Sequence, residues 1–463
     1  MTSQRIAFDP DLIRRYDKAG PRYTSYPTAV QFHAGFDGAA YRRAAAATNA
    51  ERPQRPLSLY FHLPFCDTVC FYCACNKIVT KNRAHAAPYL ESLYREIALQ
   101  GRLFDRARPV EQLHWGGGTP TFLSHEEMRA LMAVTRKFFT LREDDQGEYS
   151  IEVDPREIRE GTLPLLRELG FNRLSMGVQD FEPTVQLAVN RLQGEAQTLG
   201  VLEEARALGF RSISMDLIYG LPRQSVSSFA RTLDKVVAAA PDRLSVFNYA
   251  HLPEMFKTQR QIDAAELPSP ATKLDILQLS IERLTAAGYL YIGMDHFARP
   301  EDELAVAQRN GTLYRNFQGY STHSDCDLIG LGVTSIGTVG NTYSQNHKSI
   351  SDYSKALNCE KLPVWRGVVL DDDDLLRRAV ITQLICHFTL DPLPLEKRFG
   401  IAFARYFASE LSELATMARD GLLRIEDGVI AVTPAGKLLV RNICMVFDRY
   451  LRAPQQKRYS KVI

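Results

Sequence analysis

Nowhere in this chain does an apolar run approach the roughly 18–20 residues that a membrane span needs. The N-terminus lacks the apolar stretch of a secretory signal as well; Met1 to Pro10 carries acidic and polar residues instead. A cytoplasmic protein with no membrane partner is therefore expected. A dominant charge is missing too: 56 Lys and Arg face 54 Asp and Glu, so the net +2 gives no bulk electrostatic reason to bind nucleic acid. Cysteine is sparse, eight in 463 residues, which excludes the dense disulfide framework of a small secreted protein.

What is present suits a globular enzyme. Hydrophobic residues at 45% and charged residues at 24% can bury a large core, and the length suits an α/β domain with satellites. Short apolar runs predict strands at Leu57–Pro64, Gln112–Trp115, Tyr149–Val153, Arg173–Val178, Ser212–Tyr219 and Leu244–Tyr249, with a further one at Tyr289–Met294. Amphipathic stretches between them predict helices at Pro88–Phe104, Ser124–Phe139, Leu163–Leu169, Thr198–Leu208, Ser225–Ala239 and Ala271–Ala287. Ser124 with Glu127 makes a capping box. Such alternation implies a parallel sheet with right-handed crossovers, hence an α/β fold: a partial or complete parallel (β/α) barrel of about six units. An open doubly wound sheet would give the same pattern. Polar and glycine-rich residues gather where strands end, the face on which barrels place their chemistry.

The expected division is an N-terminal flap and helical segment over 1–50, the barrel over 51–365, and a helical, winged-helix-like domain over 366–463. The last rests on Asp371–Asp374, read as a solvated helix start, a helix over Phe403–Arg419 and a hairpin around Asp427-Gly428. Its helix mixes Glu410 and Glu413 with Arg405 and Arg419, whereas a phosphate-binding face would be basic throughout. A nucleic-acid regulator is thus the weaker reading.

Four cysteines crowd together at Cys66, Cys70, Cys73 and Cys75. In a reducing compartment clustered thiols indicate metal chemistry. Three thiolates on one loop can each take an iron of a 4Fe–4S cluster, leaving the fourth iron open to a small molecule. Zinc with Cys75 as fourth ligand is the competing reading, but structural zinc loops usually pair two CxxC knuckles, and no second knuckle exists here. The glycine run Gly116-Gly117-Gly118-Thr119-Pro120 follows a predicted strand, where missing side chains permit close backbone approach to a ligand.

The Cys66–Cys73 loop, with Tyr72 before its third cysteine, resembles the signature of the radical S-adenosylmethionine enzymes. Across nearly the whole chain the resemblance narrows to the oxygen-independent coproporphyrinogen III oxidases (dehydrogenases). The matching stretches include Pro21–Thr28, Tyr60–Cys66, Cys73–Lys77, His114–Thr121, Glu152–Arg156, Tyr291–Phe297 and Arg315–Tyr320. Tyr72 stands where phenylalanine is frequent and Ala74 where glycine is usual. The resemblance implies oxidative decarboxylation of two propionates of coproporphyrinogen III to vinyls, giving protoporphyrinogen IX, through a 5′-deoxyadenosyl radical. A haem-binding chaperone related to the family is the alternative.

It further implies a 4Fe–4S cluster on Cys66, Cys70 and Cys73, and two S-adenosylmethionine molecules. The cofactor contacts it implies are Tyr60, Tyr72, Gly117, Gly118, Thr119, Glu152, Gln179, Arg191, Asp216, Ala250, Phe317, Gln318 and Ile336. A side chain added at Gly117 or Gly118 is expected to intrude on the methionine moiety. The four carboxylates of the substrate call for cations, for which Arg22, Lys77, Arg299 and Arg315 are candidates. Blander roles stand beside these: helix caps for Glu152 and Asp216, a surface ion pair for Arg191, a core or cluster-tuning role for His62, and plain packing for Tyr23, Tyr26 and Tyr320. An electron donor such as flavodoxin or ferredoxin and a monomeric state complete the expectations.

Overall fold

The computed structural model describes residues 6–452, which form two compact units. The first comprises residues 32–269 and 325–369; the second joins the described residues of 6–31, 270–324 and 370–452. Among the described residues no helix is long and apolar enough to cross a membrane.

The first unit is built on strands β1 (Leu57–Leu63), β2 (Pro109–Gly117), β3 (Glu148–Val153), β4 (Arg173–Gln179), β5 (Ser212–Tyr219) and β6 (Arg243–Asn248). These lie side by side in chain order, all parallel. Each predicted strand is found within a few residues of its expected ends. So are the intervening helices, among them Ala86–Gly101, His125–Phe138, Glu195–Ala207 and Val226–Ala239. The Ser124–Glu127 capping box forms as read. Strand β1 buries Leu57, Leu59, Phe61 and Leu63 on one face and turns Ser58, Tyr60 and His62 to the other.

Beyond β1 the sheet continues in a way the alternation could not reveal. Strand β7 (Asp327–Leu331) pairs parallel with β1, and β8 (Ile336–Val339), β9 (Thr342–Asn346) and β10 (Val364–Val369) follow as an antiparallel meander. The strand order runs in one line, so the parallel part is an incomplete barrel and not a closed ring.

In the second unit, Leu290–Gly293 pairs antiparallel with His296–Ala298, and Tyr314–Asn316 with Gly319–Ser321. Its C-terminal part holds the helix Asp372–His387 and a three-stranded sheet that includes the expected hairpin, Leu423–Glu426 with Val429–Val432. Two expectations change here. The Phe403–Arg419 helix is broken at Phe407 into Phe403–Tyr406 and Ala408–Arg419, because Phe407 leaves helical geometry to bury its ring. The acidic run is not merely solvated: Arg449 pairs with Asp371, Asp373 and Asp374, and Asp374 is buried.

Candidate active site

Period-two alternation decides which side chains leave the core. Along β3, β4 and β5 the less-buried face carries Ser150 and Glu152, then Ser175, Gly177 and Gln179, then Ser214 and Asp216. Register sets them side by side: Glu152 opposite Ser175, and Gly177 opposite Asp216. Tyr60 of β1 and His114 of β2 are register partners with rings stacked 5.8 Å apart, and they extend this polar row.

The cysteine loop leaves the end of β1. It returns to pair Phe65 and Cys66 with Ile78 and Val79, and Thr80 N–H donates to Cys66 O at 2.9 Å. Neighbouring segments hold its middle: Phe71 N–H donates to Val189 O at 3.0 Å, Asn190 Nδ2 to Val69 O at 2.8 Å, and Gln259 Nε2 to Tyr72 O at 3.0 Å. Tyr72 packs on the apolar group of Val185, Val189, Leu221, Tyr249 and Ile262. Lys77 is drawn into the same loop, donating from Nζ to Cys73 O at 3.0 Å.

Backbone hydrogen bonds join the glycine run to this loop. Gly118 N–H donates to Leu63 O at 2.8 Å, and Thr119 N–H to Phe65 O at 2.7 Å. A Cβ on Gly118 would stand 2.6 Å from Phe65 O and 2.7 Å from Pro64 C. A Cβ on Gly117, whose φ is +108°, would stand 2.6 Å from the His62 ring. The missing side chains thus let the β2 end lie against the cysteine loop and His62, beside the clearance for the methionine moiety that the resemblance implies.

His62 has a definite task. It is 5% exposed, and burial lowers its pKa, so the ring is neutral. Nε2 lies 2.9 Å from Asn76 O and must donate; Nδ1, 3.2 Å from Tyr60 Oη, then accepts. The ring ties β1 to the far side of the cysteine loop.

Donors surround the three sulfurs. Thr119 Oγ1 lies 3.6 Å from Cys66 Sγ, while Arg156 Nη2 and Arg191 Nη1 lie 3.6 and 3.5 Å from Cys70 Sγ. Burial pushes the Cys66 thiol up to about 11, opposed by Thr119. Cys73 is held low by a hydrogen bond from Cys75, helped by Lys77. Among the described residues no three His, Cys, Asp or Glu side chains close around a single metal position. Three cysteines with positive and hydroxyl donors fit a cluster that carries thiolate charge.

Arg191 is no surface residue. It is 6% exposed, pairs with Asp154 at 2.8 Å and donates to Gly177 O at 2.6 Å. Although burial pushes Asp154 up, Arg191 and Arg156 hold it below the ordinary aspartate value. Glu152 accepts from Gly117 N–H at 3.2 Å and pairs with His114 at 3.3 Å, so it caps no helix. Asp216 accepts from Ser175 Oγ at 3.3 Å, and desolvation pushes its pKa up to about 6, with the charge of Glu152 adding to the rise. Gln179 adopts φ +68°, and its buried Oε1 has no partner. An orphaned amide oxygen at a strand end is the mark of a ligand site.

Ala250 is exposed just beyond β6, and Ile336 opens β8. In the second unit Phe317 and Gln318 form the turn of the Tyr314–Ser321 hairpin, where buried Gln318 Nε2 lacks a partner. Arg22 pairs with Asp295, and Arg299 lies over the Tyr289 ring at 5.1 Å. Tyr23 and Tyr26 are 3% and 2% exposed; Tyr23 Oη donates to Asp448 at 2.9 Å. Asp154 and Arg156 lie within a matching stretch but had no assigned task, since their partners Arg191 and Cys70 are distant in sequence. Asn248, at the end of β6, was missed; its unpartnered buried Oδ1 is a signal only coordinates carry.

Comparison with known proteins agrees with this geometry. Residues 60–236 match the Radical SAM superfamily and residues 370–439 the HemN C-terminal domain. The chain is 56% identical over 458 residues to the oxygen-independent coproporphyrinogen III oxidase of Pseudomonas aeruginosa, covering 99% of each chain. It is 52% identical to that of Escherichia coli, covering 100% of each. A solved structure, coproporphyrinogen III oxidase (HemN) from Escherichia coli, described as a radical SAM enzyme, superposes with a TM-score of 0.92 at 51% identity, covering 96% of this chain and 100% of that one. With the cysteine loop, the glycine strand end and both matched regions in one chain, it belongs to the oxygen-independent coproporphyrinogen III oxidases of the radical SAM superfamily.

Proposed function

We propose that this chain converts two propionate side chains of coproporphyrinogen III to vinyls without oxygen, giving protoporphyrinogen IX. The observation that carries the reading is the cysteine loop locked by backbone hydrogen bonds to the glycine strand end, beside a row of polar groups in which Gln179 Oε1 has no partner. Cys66, Cys70 and Cys73 would each hold one iron of a 4Fe–4S cluster. When bound, the cluster and S-adenosylmethionine supply an electron and a 5′-deoxyadenosyl radical that takes one hydrogen atom from a propionate β-carbon. Departure of carbon dioxide and of one further electron then balances the formation of each vinyl group.

The chain's own residues orient and exclude. Gly117 and Gly118 backbone, Thr119, Tyr60 and Tyr72 would bound the methionine end, while Glu152 and Asp216 would accept ribose hydroxyls. Gln179, Arg191, Ala250, Ile336, Phe317 and Gln318 would complete contacts to two S-adenosylmethionine molecules. Arg22, Lys77, Arg299 and Arg315 are the proposed cations for substrate carboxylates, and Gly20 to Thr28 a segment that shields the reaction from water. A small electron-transfer protein such as flavodoxin or ferredoxin would reduce a monomeric, cytoplasmic enzyme. Anaerobic reconstitution with iron and sulfide, then assay with coproporphyrinogen III and S-adenosylmethionine, tests the proposal. Protoporphyrinogen IX with matching 5′-deoxyadenosine is expected; cofactor cleavage without vinyl product would overturn the substrate assignment.

A further inference from the structure

Arg315 sits in the second unit with 7% of its surface exposed, and neither Nε nor Nη1 has a hydrogen-bond partner. What supports its guanidinium is the face of Tyr320, 4.7 Å away, whose hydroxyl is already spent on Ile385 O at 3.0 Å. Three other guanidiniums in this unit have claimed their acceptors. Arg22 pairs with Asp295, Arg377 with Glu410 at 3.0 Å, and Arg441 donates to the carbonyls of Gly20 and Pro21.

The field around Arg315 is positive. Burial, helped by the charges of Arg22 and Arg315 and opposed by Asp295, lowers the Arg441 pKa to about 10. Three guanidiniums, Arg22, Arg315 and Arg441, thus stand near one another, with Asp295 beside them. An unpaired guanidinium in such a place costs stability. Evolution retains that cost where a ligand supplies the missing anion.

We propose that Arg315 is the anchor for a carboxylate of the porphyrinogen, and that the propionate it holds is one that survives the reaction. The first part rests on the substrate reading given above. The second follows from what decarboxylation does to charge. A cation clamped on a carboxylate that departs as neutral carbon dioxide binds the starting state more tightly than the transition state, and so slows the step. A cation on a retained propionate pays no such penalty and fixes the macrocycle through both rounds.

The test uses the reconstituted enzyme without reductant and two fluorescent probes, coproporphyrin III and protoporphyrin IX. Both carry the two retained propionates; only the first carries the two that react. Arg315→Met should weaken binding of both probes by about 10- to 100-fold, the worth of one charge-assisted contact. S-adenosylmethionine affinity and iron content should be unchanged, and Tm unchanged or raised, because a buried unpaired charge is gone. Arg315→Lys should recover part of the affinity. Loss for coproporphyrin III alone would overturn the retained-propionate assignment. Loss of S-adenosylmethionine affinity instead would give the arginine to the cofactor carboxylate and overturn the proposal. A lower Tm with unchanged porphyrin binding would make Arg315 structural and overturn it too. A wild-type enzyme that neither binds coproporphyrin III nor turns over the porphyrinogen would remove the substrate reading itself.

Discussion

The two units of this chain hold their polar groups in different ways. In the strand-rich unit, the site residues come from consecutive strand ends, each a few residues beyond a buried apolar run. In the other unit, three distant stretches of chain meet, and the polar contacts join one stretch to another: Tyr23 to Asp448, Arg22 to Asp295, Arg441 to Gly20. The first arrangement repeats a local rule, strand then turn then helix, and each repeat delivers one or two side chains to the same face. The second obeys no local rule. Function legible by position belongs to the first unit; the second must be read from partners.

The largest expected effect tests the first arrangement at its centre. Replacing Cys66, Cys70 or Cys73 by Ala should abolish cluster assembly and S-adenosylmethionine cleavage. Cys75→Ala should keep its iron, since Cys75 reaches Cys73 as a hydrogen-bond partner. Iron and sulfide counts after anaerobic reconstitution decide this. Iron retained in Cys70→Ala but lost in Cys75→Ala would reassign the ligands.

Gly118→Val comes next and sharpens what a strand end does. Because its Cβ would press on Pro64 and Phe65 backbone, this variant should lose iron as well as cofactor affinity. A cluster at full occupancy with only S-adenosylmethionine binding impaired would return Gly118 to the role of clearing space for the ligand.

How much of this was legible in the sequence follows the same divide. The parallel strands of the first unit and the helices expected between them were found to within about three residues, because their core-facing positions are apolar and the strands are bounded by Gly, Asp-Pro or Gln-Asp. The site was legible too, as far as motifs carried it. The meander β7–β10 was not, since its strands lie between polar turns and carry mixed patterns such as Thr342–Asn346. Nor could Asp154 be seen to hold Arg191. The acidic run Asp371–Asp374 read as solvated because Arg449, its partner, lies some seventy-five residues onward. At Gly118 the sequence pointed to a close approach, and the neighbour it could not show is the backbone of Pro64 and Phe65.

A smaller effect is expected in the second unit. Tyr23→Phe removes one hydrogen bond to buried Asp448 and should cost about 1 kcal/mol, read as a lower Tm. Iron content should be unmoved, because the Tyr23 hydroxyl is spent on Asp448 within its own unit. Loss of iron in Tyr23→Phe would show that the units do not divide the work as described. Point variants are the right probe here: deleting residues 1–28 would also strip Tyr23 and Tyr26 from the core.

The smallest effect concerns Asp216, and its sign can be worked out. Desolvation raises its pKa from 3.8 to about 6 in the folded chain without cofactor. The unfolded chain ionises it near the ordinary value, so between about pH 4 and 6 the folded state binds more protons than the unfolded one. Stability contributed by this group is therefore intact below pH 4, falls as pH rises through that window, and stays reduced above it. Asp216→Asn removes the titration. In the cofactor-free protein it should raise Tm at pH 7 relative to wild type, with the difference shrinking towards zero near pH 4. Cofactor should reverse the order at pH 7, because the carboxylate then has hydroxyls to accept from and the amide has only half that capacity. Paired melting curves at pH 4.5 and 7, each with and without S-adenosylmethionine, make the measurement. If wild type is the more stable at pH 7 even without cofactor, Asp216 is held by its own strand neighbours, and the polar face at the strand ends is structure before it is site.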